Sequence, residues 1–207
     1  MSVEIKVPTI DGLTLKTKDT YVDKDIVVSV GIPHYDGSAN EDVTPNEDAI
    51  LMRTLVKYRN DRITMLGAGS FMQFPTLKEL ILPNVTSMNG SCFTGGISFN
   101  KLEMPKLETI GIKGFDYVSF PKLKAPLKTI ANYGLMGNAT LEKLIITQDE
   151  VVCKLGGASV FQASTIVTSE TMGFVYVPDT LVEEYKVATN WSAIAHKIKP
   201  ISELEGE

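Results

Sequence analysis

Two histidines, two cysteines and one tryptophan are all that this chain of 207 residues has of those types. His34 and His196 stand in unrelated contexts, which excludes a paired-histidine metal site and any local Ser–His or Cys–His couple. Cys92 and Cys153 are far apart and outside any metal-ligand spacing. Cys92 falls on a small, inward place of the repeat described below and reads as a packed thiol; for Cys153 a disulfide stays open. No apolar run reaches the roughly eighteen residues of a membrane span. The opening MSVEIKVPTI lacks a basic n-region and a long apolar core, so no secretory signal is expected. Basic excess is missing as well. Twenty Lys and Arg against 25 Asp and Glu leave a net charge of -5, which argues against a nucleic-acid partner. Nucleophile elbow, phosphate-cradling loop, zinc spacing and dinucleotide fingerprint are all absent. No catalytic residue, metal ligand or cofactor is expected, and no enzyme.

What the chain does have is a nine-residue phrase that returns four times: ITMLGAGSF from Ile63, VTSMNGSCF from Val85, LETIGIKGF from Leu107 and LKTIANYGL from Leu127. The starts lie 22, 22 and 20 residues apart, a period in the range of leucine-rich-repeat solenoids. The first and fourth positions are apolar throughout and turn inward. The eighth is small (Ser70, Cys92, Gly114, Gly134), and the ninth is large (Phe71, Phe93, Phe115, Leu135) and fills the core after a tight turn. Gly67, Asn89 and Gly111 at the fifth position suit left-handed or cramped backbone. One unit alone cannot bury its apolar side, so neighbours must stack. At 43% hydrophobic content the chain can bury a sizeable core.

Each phrase is followed by a second half. These read Leu77-x-x-Leu80-x-Leu82-Pro83, Phe99-x-x-Leu102-x-Met104-Pro105, an abbreviated Val118-x-Phe120-Pro121, and Leu141-x-x-Leu144-x-Ile146. Such spacing alternates inward residues along a short strand, and the proline stops it. Outward places then line up in rows: Lys78, Glu79 and Ile81, next Lys101 and Glu103, next Ser119, next Glu142, Lys143 and Ile145. Lys78, Glu79, Lys101, Glu103, Ser119, Glu142 and Lys143 are the candidate binding face. Lys106, Lys113, Lys122, Lys124 and Lys128 read, with Lys101, as a solvated face. Glu103 and Glu108 flank one turn but sit at outward places, so surface charge is preferred over a glycosidase dyad.

The ends differ from the repeats. Val3 to Val30 reads as a small β-unit with alternating Val3, Ile5, Val7 and Leu13, Leu15, and a last strand Ile26–Val30. Exposed strand edges make it a candidate attachment or oligomerisation surface. Residues 31–43 (GIPHYDGSANEDV) read as a linker; Glu41 stands where a calcium loop counted from Asp36 needs glycine. Thr44-Pro45-Asn46-Glu47 starts a short helix, and Leu55–Tyr58 is a strand, the two forming an N-terminal cap over 44–62. Beyond the repeats (63–148), a degenerate unit and C-terminal cap are expected over 149–207. That cap holds a strand Val151–Leu155, Phe161 as a last core residue and a strand Gly173–Val177 ended by Pro178. A helix follows, capped by Asp179, with Leu181, Val182 and Tyr185 on one face. A further helix shows Trp191, Ile194, Ala195 and Ile198 at i, i+3, i+4 and i+7, with Trp191 as a core residue and His196 on the surface. The acidic tail Ser202–Glu207 is expected to fray.

The phrase and its second half resemble the pattern V-T-S-I-G-x-x-A-F … L-x-x-V-x-L-P of the BspA-like leucine-rich-repeat family, over about Ile63 to Ile146. Tyr176-Val177-Pro178 through Asn190-Trp191 is similar to the unit that closes many such repeat proteins. Gly12 to Val28 (GLTLKTKDTYVDKDIVV) resembles a short module of phage tail and fibre proteins. The resemblance implies a β-rich, mixed α/β leucine-rich-repeat solenoid with short capping helices, preceded by a small N-terminal β-unit at 1–30. It further implies a non-enzymatic structural protein of a phage of Gram-positive bacteria, in the tail, baseplate or head surface, made in the host cytoplasm and resident in the virion. Expected partners are other virion proteins through the N-terminal unit and a host-surface glycan or protein, with a homo-oligomer left open and no membrane. The competing readings are a bacterial BspA-like surface adhesin or interaction module, against which the missing export signal counts, and a small hydrolase on a degenerate repeat.

Overall fold

The computed structural model describes residues 27–28, 56–71, 74–93 and 96–204. The alternating strands expected over Val3–Leu15, the linker 31–43 and the helix starting at Thr44 lie outside the described residues.

The third and fourth places of every phrase form a two-residue strand, and each strand pairs in parallel with the same places of the next phrase. The resulting six-stranded sheet runs β1 (Val27–Val28), β3 (Met65–Leu66), β5 (Ser87–Met88), β7 (Thr109–Ile110), β9 (Thr129–Ile130) and β11 (Lys154–Leu155). The second halves build a separate row. There β2 (Lys57–Arg59), β4 (Glu79–Ile81) and β6 (Lys101–Glu103) make one parallel sheet. A second parallel sheet holds β8 (Lys122–Ala125), β10 (Lys143–Ile146), β12 (Phe174–Val177) and β13 (Ile198–Pro200). Two short helices, α1 (Thr165–Thr168) and α2 (Val182–Val187), follow the repeats. The fold is β-rich, with parallel sheets, a few short helices and no closed barrel among the described residues.

The core lies between the two rows of strands. First-place residues Ile63, Val85, Leu107 and Leu127 and fourth-place residues Leu66, Met88, Ile110 and Ile130 are all buried. The ninth-place rings form a column. Phe71 and Phe93 stack at 5.4 Å between centroids, Phe93 and Phe115 at 5.2 Å, with interplanar angles of 15° and 10°. Phe99 meets Phe93 edge-on at 5.6 Å, and Phe120 meets Phe115 at 5.1 Å. Leu135 and Phe161 continue the buried series.

The small eighth place follows from the turn. Ser70 Oγ donates to the Gly67 carbonyl at 2.6 Å and Cys92 Sγ to that of Asn89 at 2.9 Å. At Gly114 and Gly134 a methyl group would come within 2.8 Å of Ile110 Cγ2 and 2.7 Å of Ile130 Cγ2. The left-handed residue is at the seventh place, not the fifth: Gly69, Ser91, Lys113 and Tyr133 have φ of 76°, 53°, 56° and 59°. The fifth place is cramped instead. A Cβ on Gly111 would lie 2.5 Å from the Asn89 carbonyl carbon and 2.6 Å from the Gly90 nitrogen, so the backbones of successive units touch there.

The third unit differs from its expected form. Val118 to Phe120 is the approach to a strand: Ser119 makes a single bridge with Ser98, and the strand itself is Lys122–Ala125. The second-half motif is thus Phe120-x-x-Leu123-x-Ala125-Pro126, with Phe120, Leu123 and Ala125 buried. Two deletions relative to earlier units had hidden it.

The C-terminal segment closes the open end. Tyr185 Oη accepts from the Cys153 N–H at 2.9 Å, and Trp191 Nε1 donates to the Cys153 carbonyl at 2.6 Å. Trp191 also packs on Tyr185 and Phe161. Asp179 does not cap the helix. Its carboxylate accepts from the Ser202 N–H at 3.1 Å, which ties down the start of the tail expected to fray. A hydrogen bond with the Ser202 side chain, followed by this backbone bond, leads the causes that hold the Asp179 carboxyl below its ordinary value. Residues Ser192–Lys197 form 3-10 turns that meet at a kink at Ile194 (φ -121°, ψ 24°) rather than an α-helix, and Ile198 opens β13. Trp191, Ile194 and Lys197 are all buried along this segment. Lys197 is 1% exposed; its Nζ donates to the carbonyls of Ser169 and Met172 and lies 4.9 Å from the Phe174 ring.

Phe93→Ala, which opens the middle of the ring column, is expected to lower the unfolding free energy by about 3–5 kcal/mol in urea titrations. Ile112→Ala on the exposed turn should stay within about 0.5 kcal/mol. Equal costs would disprove the column's structural weight. Replacing Lys113 by glycine should raise stability, because the left-handed backbone costs a residue with a Cβ about 1 kcal/mol. A loss at that site would show the side chain to matter more than the backbone.

Candidate functional site

The second-half row carries the candidate face. Register sets Lys57 beside Glu79 and Glu79 beside Lys101, with Arg59, Ile81 and Glu103 in the next file. In the other sheet Lys122, Lys143 and Phe174 are neighbours, as are Lys124, Ile145 and Tyr176. Leu80, Leu102, Leu123, Leu144 and Val175 alternate with them into the core. A parallel ladder keeps equal places abreast, so outward side chains stand in files across the sheet.

Not every predicted residue is displayed. Lys78 is half-buried, and its Nζ donates to the Ser98 carbonyl at 3.2 Å. Glu79 pairs with Lys57 at 2.6 Å and Glu103 with Lys101 at 3.0 Å. Such surface pairs contribute little to stability, but they neutralise the N-terminal part of the face. Glu142 is exposed and Lys143 half-buried beside Lys122. Ser119 sits one step ahead of the files; the places it was expected to fill are held by Lys122 and Lys124. Ile145, expected outward and open, is 0% exposed between Lys124 and Tyr176.

Lys122 and Lys124 also mark a break. The ladder from β2 ends at β6, and a new one starts at β8. The Ser98–Ser119 bridge and the Phe99 N–H to Ser119 carbonyl bond of 2.8 Å join the units just before the strands. Beyond that point β6 and β8 part. A cleft of about 460 Å³ opens there, bordered by Lys101, Leu102, Glu103, Lys122, Lys124 and Thr147. Leu102 is 9% exposed where the matching Leu80, Leu123 and Leu144 are sealed, so water reaches the core edge at this seam. Sequence reading placed Lys122 and Lys124 on a featureless solvated face. The recoverable signal was the Phe-x-x-Leu-x-Ala-Pro spacing of the third unit.

Elsewhere the groups with chemical potential are committed. Among the described residues no group of three or more His, Cys, Asp and Glu side chains is placed to hold a metal, and no helix is long and apolar enough to cross a membrane. Both cysteines are free and buried. Burial pushes each thiol up from its ordinary value near 9 to about 12. For Cys92 a backbone hydrogen bond at Asn89 opposes burial without overcoming it. No disulfide joins Cys153 to Cys92. His196 is exposed, as its place beside Lys197 had suggested.

No protein-family model matches the chain, and no curated protein is similar to it.

Neither thiol of the folded protein should react with a thiol-specific disulfide reagent at neutral pH, and both should react in denaturant. Fast labelling of either in the native state would contradict the burial. Between pH 9 and about 12 the unfolded chain has released thiol protons that the folded chain retains. Stability from these groups is therefore full below pH 9 and lost as pH rises through that window. Cys153→Ala should flatten part of that decline in urea midpoints measured across the range.

Proposed function

We propose that this chain is a leucine-rich-repeat solenoid of the BspA-like kind and acts as a non-enzymatic structural component of a phage particle, displaying its second-half strand face to a protein or glycan on the host surface. The observation that carries the reading is the four-fold phrase itself, whose equal places stand in register from β3 to β9, with the second-half strands beside it setting outward side chains in files across two parallel sheets. A stack of this kind supplies a long regular surface rather than a pocket for chemistry. The similarity of Gly12–Val28 to a tail and fibre module supports a place in a tail, baseplate or head-surface appendage, with the N-terminal β-unit contacting other virion proteins or further copies of the chain. The virion is then its location.

Mass spectrometry of purified particles from the source phage or prophage tests this. Presence at a fixed copy number per particle is the expected result. Absence from particles, with the protein recovered from bacterial cell surfaces, would replace it by the adhesin reading.

A further inference from the structure

We propose that the seam between β6 and β8 binds an acidic saccharide unit, one bearing a carboxylate or a phosphate group. The proposal deepens the surface-binding role above and rests on it.

Three observations converge at the seam. The first is charge. Lys101, Lys122 and Lys124 border the cleft with Glu103 as the single acid, in a chain whose net charge is -5. Glu103 is already held by Lys101 at 3.0 Å. Among the side chains that border the cleft lysine thus outnumbers acid, where the molecule as a whole is anionic, which favours an anion at this point.

The second is backbone. In a parallel pair, alternate residues bond to opposite neighbours. Pro121 and Ala125 direct their carbonyls to β10, accepting from Lys143 and Thr147, which leaves Lys124 on β8 facing β6. Glu103 directs its carbonyl to Leu82, just past β4, which leaves Leu102 facing β8. No ladder joins the two strands, so the edges of β6 and β8 face each other across the cleft without the pairing that closes the neighbouring seams.

The third is shape. The Ser98–Ser119 bridge closes the seam at its start, so an extended peptide strand has no passage through it. A compact ring entering from the open side does. About 460 Å³ lies within the range of small-molecule sites. Asn100 and Thr147 at the rim offer an amide and a hydroxyl to sugar hydroxyls, while Leu102 supplies an apolar patch.

The test is isothermal titration of the full chain with tetragalacturonate, with its uncharged methyl ester, with a hexose 6-phosphate and with polyglutamate. Tetragalacturonate or the sugar phosphate is expected to bind, identifying carboxylate or phosphate as the anion, with the ester at least about tenfold weaker and affinity falling as salt rises. Lys124→Gln should weaken binding about five- to tenfold, the scale of one charge-assisted hydrogen bond at a solvent edge. Lys154→Gln, on the exposed part of β11 in the other sheet, should leave it unchanged. Both variants alter exposed side chains, and an unchanged unfolding transition confirms that they fold. Equal affinity for acid and ester, equal effects of the two substitutions, preference for polyglutamate, or no binding of any probe would each overturn the seam proposal. None of these outcomes alters whether the protein is found in particles, so the two readings fail separately.

Discussion

Everything in this protein depends on the spacing of parallel strands. Neighbouring strands lie about 4.8 Å apart, and residues at equal places in successive units inherit nearly that separation. Flat rings tolerate it well. The Phe71–Phe93–Phe115 column, at 5.4 Å and 5.2 Å with nearly parallel planes, is what an aromatic place becomes when the backbone repeats at strand distance. The same spacing forbids a side chain at Gly111, where the backbone of the preceding unit is already in contact. One constraint therefore bears on both the stacked rings and the bare backbone at Gly111.

The surface becomes irregular at one place. In the first units both strand rows advance together, and β4 stacks on β2 and β6 on β4. The third unit is shorter by two residues. The phrase row continues through it, since β7 and β9 pair. In the second-half row the ladder stops at β6 and starts again at β8, which pairs with β10. The ring column continues through Phe115 and Leu135 beneath the break, so the core stays closed while the outer sheet opens. The surface thus has one concave place, bordered by Lys101, Lys122 and Lys124.

The repeat was legible in the sequence because its periodicity is a core property. Inward places at Ile63, Leu66, Phe71 and their counterparts are buried as the spacing required, as are Leu77, Leu80 and Leu82. Phe161, Trp191 and the strand ended by Pro178 were readable for the same reason. Misplaced features were those that depend on backbone path. Left-handed conformation falls on the seventh place, where Ser91, Lys113 and Tyr133 accept it without being glycine, so composition pointed to the fifth place instead. Ser119 was put in the rows because two deletions disguised Phe120-x-x-Leu123. The last helical segment has an apolar period of 3.6 in the sequence, but its backbone kinks at Ile194 and Lys197 lies inward, and no hydrophobic pattern announces a buried lysine held by carbonyls.

By itself, then, the sequence determined which residues go inward, how many units stack and where the stack must be closed, because burial of apolar side chains depends on local spacing that a linear pattern records. Tertiary structure alone decided which outward residues become neighbours, that the β6–β8 ladder opens, and that Lys101, Lys122 and Lys124 gather around one cleft. Those outcomes depend on which strands pair and where pairing stops, a matter of contacts between residues far apart in the chain that no local spacing records.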